Sequence, residues 1–198
     1  MKIGIIGSGG REHALCYALK KSKQIEEIYC FPGNAGTNDI SKNVDIDLNN
    51  FNLLKSFILK NNIELIIVGP EKPLVEGIVD FLNENKIKVF GPNKFASKLE
   101  GSKIFTKKIC EAYDIPTARF GVYNDIESSL KFLNKCQYPL VVKADGLAAG
   151  KGVYICETNE KSKIAIYEIF GGKFGKANQV LIEEFLNGEE MSFFVISD

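Results

Sequence analysis

Residues 143–152 read Lys-Ala-Asp-Gly-Leu-Ala-Ala-Gly-Lys-Gly, directly after the apolar run Pro139–Val142. A buried strand delivers a lysine, and the chain then enters a loop with three glycines and a second lysine. Glycine lets backbone N–H groups approach phosphate oxygens, and lysine supplies point charge, so the chemistry is polyphosphate binding. The pattern is not a Walker A loop. In G-x-x-x-x-G-K-[ST] the first glycine would fall at Asp145 and the Ser/Thr at Gly152, and such a loop opens a helix. Here Val153-Tyr154-Ile155-Cys156 follows and reads as a strand. A glycine loop between two strands suggests a flap over ATP phosphates. The plain alternative is a glycine-rich hairpin with solvated lysines.

A second cluster is Gly7-Ser8-Gly9-Gly10-Arg11-Glu12-His13, between an apolar run and a helical pattern. It departs twice from a dinucleotide fingerprint. Glu12 stands at the third glycine position, and the second strand ends in Pro32-Gly33 where an acid for a ribose hydroxyl belongs. That argues against a nicotinamide-dependent dehydrogenase. A phosphate monoester suits the N–H groups of a helix N-terminus better. Arg11 is one of two arginines and His13 is the only histidine. The plain alternative is a strand–helix turn with His13 on the helix face.

Three further segments matter through their placement. Pro32-Gly33-Asn34-Ala35-Gly36-Thr37 and Gly69-Pro70-Glu71 are turns at strand ends, and Glu71 can accept hydrogen bonds from ribose hydroxyls or an amine. Lys103 follows Gly101-Ser102 at a helix start, where a lysine opposes the helix dipole. That suggests a phosphate task, against the reading of one solvated lysine among many. Val180–Leu186 is a strand ending in Glu183-Glu184, followed by Glu189-Glu190. Such a strand can offer backbone groups to an adenine edge and a carboxylate to a ribose. The alternative is an acidic hairpin facing water.

The elements that must position these groups follow from periodicity. Strands are expected at residues 2–6, 28–31, 65–68 and 88–90, with helices over 12–21, 50–60 and 74–83. Leu53, Leu54, Phe57 and Ile58 are expected to share one helix face. Strands alternating with helices imply a doubly wound parallel sheet, with ligands beyond its carboxyl ends. After Pro92 the pattern changes. Helices are expected over 94–99, 103–113 (capped by Ser102), 126–135 and 161–170. Strands are expected over 140–143, 153–156, 180–185 and 191–197. That is α+β with antiparallel pairs. The expected organisation is an α/β domain over 1–92, linker helices over 93–116 and a second domain over 117–198.

A balanced formal charge gives no electrostatic case for nucleic acid or an anionic membrane. Five scattered cysteines without a C-x-x-C pair suggest neither a zinc site nor a disulfide framework, and free thiols in a reducing cytoplasm are expected. No run resembles a signal peptide or is long enough to span a bilayer.

Together these stretches resemble the N-terminal half of the phosphoribosylamine–glycine ligase family, ATP-grasp enzymes of purine biosynthesis. Gly7–Leu15, Pro32–Thr37, Ile67–Glu71, Phe90–Pro92, Leu99–Lys103, Lys143–Gly152 and Ile182–Glu190 carry the resemblance in order. It implies ATP-dependent joining of glycine to 5-phosphoribosylamine through a glycyl phosphate. Another ATP-grasp ligase or carboxylase is the rival within the class. The resemblance places the phosphoribosyl group on Gly7, Gly9, Gly10, Arg11, His13, Gly33, Asn34, Gly36, Thr37, Pro70 and Glu71. It places ATP phosphates on Lys103 and Lys143, and makes Asp145, Gly146, Gly150, Lys151 and Gly152 part of the flap. Glu183 and Leu186 would frame adenine, with Glu184 beside them and Glu189 or Glu190 on the ribose. Magnesium or manganese would accompany ATP. Family members are longer, so their metal ligands are expected beyond Asp198, and no metal or catalytic residue is assigned within the chain. On that footing the 198 residues alone are expected to be an incomplete nucleotide-binding module without ligase activity.

Overall fold

The computed structural model describes residues 1–147, 151–175 and 177–195. The chain divides into two compact units, Met1–Gly101 and Ser102–Asp198.

In the first unit, strand β1 (Lys2–Gly7) leads through helix α1 (Gly10–Lys20) to β2 (Glu27–Pro32). Helix α2 (Ala35–Asn38) and β3 (Lys42–Asn43) follow, then α3 (Phe51–Lys60) and β4 (Leu65–Val68). Helices α4 (Glu71–Glu76) and α5 (Ile78–Glu84) precede β5 (Val89–Phe90), and α6 (Lys98–Gly101) closes the unit. The five strands run parallel in the order β3-β2-β1-β4-β5. Ile3, Ile5 and Ile6 of β1 are buried, as a central strand covered on both faces requires. One core layer joins Ile6, Phe31, Leu54, Ile58, Ile66 and Leu82; a second joins Ile3, Ile5, Cys16, Ile28 and Cys30.

Several expected elements differ in detail. The helix expected over 74–83 is two helices, because Gly77 adopts a left-handed conformation (φ 99°) that ends α4. Leu53 is solvent-exposed, and α3 turns only Leu54 and Ile58 fully inward. Residues 94–97 form turns, and only 98–101 are helical. Helix α2 and strand β3 are not anticipated by the sequence, being four and two residues long.

Glu27, at the start of β2, accepts a hydrogen bond from the Tyr29 hydroxyl (2.6 Å) and pairs with Lys42 and Lys2. Lys42 first and Tyr29 second hold its carboxyl down at about 2, against an ordinary value of 4.5. A depressed carboxyl contributes stability above its ordinary value and loses it as pH falls through the folded value. Glu27→Gln is therefore expected to flatten the acid limb of stability between pH 4.5 and about 2. Thermal melts of both proteins across that range check this; superimposable limbs would show that the network has no such role.

The second unit opens with α7 (Lys103–Ala112), capped by Ser102, whose hydroxyl accepts from Phe105 N–H. Strand β6 (Phe120–Tyr123), helix α8 (Ile126–Leu133), β7 (Leu140–Ala144), β8 (Val153–Cys156), α9 (Asn159–Phe170) and β9 (Val180–Glu184) follow. The strands form an antiparallel sheet, β6-β9-β7-β8. Strand alternation sorts its side chains onto two faces. Leu140, Val142, Ala144, Cys156, Val180 and Ile182 pack with Ala165, Ile166 and Ile169 of α9 and Leu133 of α8. The register puts Val141, Lys143, Val153, Ile155, Leu181 and Glu183 on the opposite face, where Val153 and Ile155 are exposed.

The expected strand over 191–197 is absent from the described residues 191–195, where Met191, Phe193, Phe194 and Val195 are exposed with no partner strand. Its last two residues lie outside the described residues. Of the segment expected as linker helices, α6 falls in the first unit and α7 in the second.

Candidate functional site

In the parallel sheet the chain runs outward from β1 to β2 and β3, then returns to β1's other side as β4. This reversal places a crevice beyond the carboxyl ends of β1 and β4, the usual ligand position in such sheets. Gly7–Arg11 and Gly69–Glu71 meet there. The Gly69 N–H donates to Ile6 O (3.0 Å), and the Arg11 guanidinium donates to Glu71 Oε1 (2.9 Å). Glu71 holds the Arg11 pKa above its ordinary value. The Glu71 carboxyl is itself lowered, first by its own backbone N–H at the start of α4 and then by Arg11. Both side chains reach solvent, so the pair sets geometry more than stability. A cavity of about 580 Å³ is lined by Arg11, Gly69, Glu71, Leu74, Pro92 and Glu100, among others.

Glu12 is the residue that sequence reasoning treated as a misfit. It is buried, and its Oε2 accepts the Gly9 N–H (2.6 Å). Its carboxylate fills the space that side chains at Gly7 and Gly69 would occupy. A Cβ built on Gly69 falls 2.0 Å from Oε1, and one on Gly7 falls 2.6 Å from Cδ. Gly9 N–H is thus committed, which leaves the first-turn N–H groups of Gly10 and Arg11, without acceptors inside the helix, to face an anion. The third position of the glycine pattern could have flagged Glu12, because an acid three residues into a helix is a capping signal.

The turn after β2 is tied to the same place. Asn34 Nδ2 donates to Ser8 O (2.8 Å) and to Gly9 O (3.2 Å), while its Oδ1 accepts Thr37 N–H (3.0 Å). Gly36 leaves room for the His13 ring, which a Cβ would meet at 2.6 Å. Gly33 lies in the same turn, its N–H on Gly7 O (3.1 Å). Thr37 is corrected from ligand contact to scaffold. It is fully buried, and its hydroxyl bonds Asn34 O and Asn43 Oδ1. Pro70 caps α4 beside the crevice.

The second unit gathers its own cluster. Lys143 Nζ lies 2.7 Å from Glu183 Oε2. Lys107 Nζ lies 3.2 Å from Glu183 Oε1, while its hydrogen bonds run to Thr117 Oγ1 (2.6 Å) and Ala118 O (3.2 Å). Glu183, 4 % exposed, is thus a buried carboxylate between two lysines. Lys107 was missed, although its i+4 spacing from Lys103 puts both on one side of α7. Lys103 Nζ donates to Gly146 O (2.9 Å), which brings the helix-start lysine to the glycine loop. The hairpin closes through Ala144 N–H to Gly152 O (2.8 Å), with Lys151 exposed beside it. Gly150 lies outside the described residues.

Two of the expected ligand residues have partners within the protein. The Asp145 carboxylate accepts from Ser102 Oγ (3.0 Å) and Ile104 N–H (3.2 Å), so it pins the loop to α7. Glu184 accepts from Arg119 N–H (2.9 Å) and Nε (2.7 Å), and the register puts it on the face opposite Glu183. Leu186, Glu189 and Glu190 are exposed beyond β9. A cavity of about 710 Å³ opens where β9 ends, with Phe120, Glu183 and Phe185 in its wall. Among the described residues no group of three or more His, Cys, Asp or Glu could hold a metal ion. No helix among them is long and apolar enough to cross a membrane.

A parallel α/β unit with ligand-ready turns at its switch point, joined to an antiparallel sheet carrying a lysine–glycine hairpin, defines a protein of the ATP-grasp class. Residues 1–100 match the phosphoribosylglycinamide synthetase N domain, and residues 101–198 match the ATP-grasp (A) domain of the same enzyme. The chain belongs to the phosphoribosylglycinamide synthetase family. It is 46% identical over 200 residues to a phosphoribosylamine–glycine ligase of Clostridium acetobutylicum, covering 100% of this chain and 48% of that protein. It is 47% identical over 202 residues to the Pseudomonas putida enzyme of the same name, covering 100% and 47%. The crystal structure of the Thermotoga maritima phosphoribosylamine–glycine ligase superposes with a TM-score of 0.78 at 36% identity, over 96% of this chain and 45% of that one. The chain thus spans about half the length of the relatives it matches.

Proposed function

We propose that this chain provides the phosphoribosyl site and the ATP-phosphate lysines of an enzyme that joins glycine to 5-phosphoribosylamine. In this reading the glycine carboxylate attacks the γ-phosphorus of ATP, releasing ADP and forming glycyl phosphate. The amine of 5-phosphoribosylamine then attacks the glycyl carbonyl carbon. The C–O bond to phosphate breaks, the amine loses a proton, and glycinamide ribonucleotide and inorganic phosphate leave.

The observation that carries the reading is the lysine set in the second unit. Lys143 stands against Glu183 on the sheet face opposite α8 and α9, and Lys103 reaches Gly146 of the loop that follows the same strand. Two cations beside a glycine hairpin are suited to triphosphate, and preorganised positive charge stabilises phosphoryl transfer. We assign Lys103, Lys143, Gly146 and Gly150–Gly152 to the phosphates. Adenine is assigned to the end of β9, framed by Glu183 and Leu186 over the larger cavity, with ribose on Glu189 or Glu190. The phosphoribosyl group is assigned to residues 1–92, its phosphate on the N–H groups of Gly10 and Arg11 near His13 and Asn34, and its ribose toward Glu71. Residues 93–116 join this part to 117–198. ATP is the nucleotide, glycine and 5-phosphoribosylamine are the small-molecule substrates, and the cytoplasm is the compartment.

The activity is tested on a protein of the relatives' length that carries these 198 residues. ADP release is expected only when magnesium, glycine and the freshly formed amine are all present; glycine-independent release would point to a carboxylase or another ligase. The phosphoribosyl site is tested by titrating the 198-residue chain with ribose 5-phosphate. Arg11→Ala is expected to weaken binding about tenfold or more, the worth of a charged hydrogen bond. Unchanged affinity would put Arg11 outside the site.

A further inference from the structure

We propose that Glu12 reads the sugar of the ligand at the switch point, and that its Oε1 accepts a hydrogen bond from a ribosyl hydroxyl or amine seated over Gly69. This rests on the phosphoribosyl reading of the first unit and adds to it a residue that selects sugar over bare phosphate.

Glu12 is 3% exposed, and its two carboxylate oxygens differ in their partners. Oε2 is satisfied by the Gly9 N–H, whereas Oε1 is buried without a hydrogen-bond partner among the described residues. An unpaired buried carboxylate oxygen is costly, and native proteins rarely leave one without a reason. The backbone beside it has no donor to give. The Gly69 N–H is already spent on Ile6 O, and the next residue, Pro70, has no N–H. Oε1 lies against Gly69 at the spot a side chain would take, and Gly69, Arg11 and Glu71 line the cavity at this point. Glu12 itself lies behind that lining, so in this proposal the turn at Gly69 yields when the ligand's donor meets Oε1. Inorganic phosphate, as the dianion, carries a single P–OH on the anion itself and no donor held a sugar's length away from it. A ribosyl phosphate carries hydroxyls, and its 1-amino form carries an amine. The division of labour follows from chemistry: the first-turn N–H groups and Arg11 take the anion, and Glu12 takes the donor end.

Glu12→Gln separates the roles, because its amide oxygen can still accept the Gly9 N–H while the other atom becomes a donor. The test measures the dissociation constants of ribose 5-phosphate and inorganic phosphate for the 198-residue chain and for this variant. The ratio of the two affinities is expected to fall about tenfold or more in the variant. A merely structural role would weaken both ligands together and leave the ratio unchanged, which overturns the proposal. A second measurement needs no variant. On the native chain, 5-phosphates of ribose analogues lacking the 1- or the 2-hydroxyl are compared with ribose 5-phosphate. One of them is expected to bind about tenfold more weakly, and equal affinity of all three overturns the proposal. Failure of ribose 5-phosphate to bind the native chain at all would instead defeat the underlying phosphoribosyl reading.

Discussion

Glu183→Gln is expected to destabilise the second unit by about 3 kcal/mol, a typical cost of removing one partner from a buried ion pair. The carboxylate is 4% exposed, between Lys107 at 11% and Lys143 at 25%. Removing its charge leaves two ammonium groups, one of them buried, without their shared counter-charge. Lys143 can swing toward solvent, which keeps the figure at the low end of the range. Lys107 cannot do so without giving up Thr117 and Ala118. Urea unfolding followed by circular dichroism gives the number. A loss below about 1 kcal/mol would mean that the pair behaves like an exposed one. Adding Lys143→Met to the variant is expected to recover part of the loss, because one of the two stranded charges is then gone.

Gly69→Ala is expected to cost the first unit about 3 kcal/mol, the upper part of the overpacking range. The new methyl would lie 2.0 Å from Glu12 Oε1 and 2.7 Å from Cδ. The carboxylate has nowhere to retreat, since the Gly9 N–H holds it and Gly7 walls its other side. The clash predicts strong coupling. In a Glu12→Ala background the same alanine is expected to cost little, with an interaction energy of about 1–3 kcal/mol in the double-mutant cycle. Additivity within about 0.5 kcal/mol would show that the two residues do not share the space.

The parallel sheet was readable because β1, β2 and β4 are short apolar runs ending in glycine or proline, and burial on both faces leaves no other reading. Lys143 was readable for the same reason, as a charge at the end of an apolar strand. What escaped is set by tertiary partners. Leu53 sits at helical spacing with Leu54 and Phe57, yet α3 meets the core along a narrower stripe than its apolar content suggests. Strand β6, Phe120–Tyr123, has no fully buried residue and is a strand because β9 lies beside it. Residues 191–195 have the composition of a strand and no described neighbour, and composition without a neighbour does not make one. At the candidate sites, residue type was a better guide than role. Asp145, Glu184 and Thr37 were singled out, yet their polar atoms are spent on Ser102, Arg119 and Asn34. Glu12 and Lys107 were passed over because a carboxylate in a glycine turn and a lysine inside a helix look like noise until the fold buries them.

The order β6-β9-β7-β8 has a consequence for synthesis. Every strand of the first unit has its partners once residue 90 has been made. Among the described residues of the second unit, β9 is the latest strand in sequence and the one that joins β6 to the β7–β8 hairpin. A nascent chain leaving the ribosome can therefore finish its first sheet early, as N-terminal domains commonly do. For the second it holds a lone strand and a lone hairpin until Glu184 emerges. Over that interval the apolar edges of β6 and β7 stand open. Arrested chains ending short of residue 180 are expected to recruit chaperones at the second unit, and chains that expose all of β9 are expected to release them.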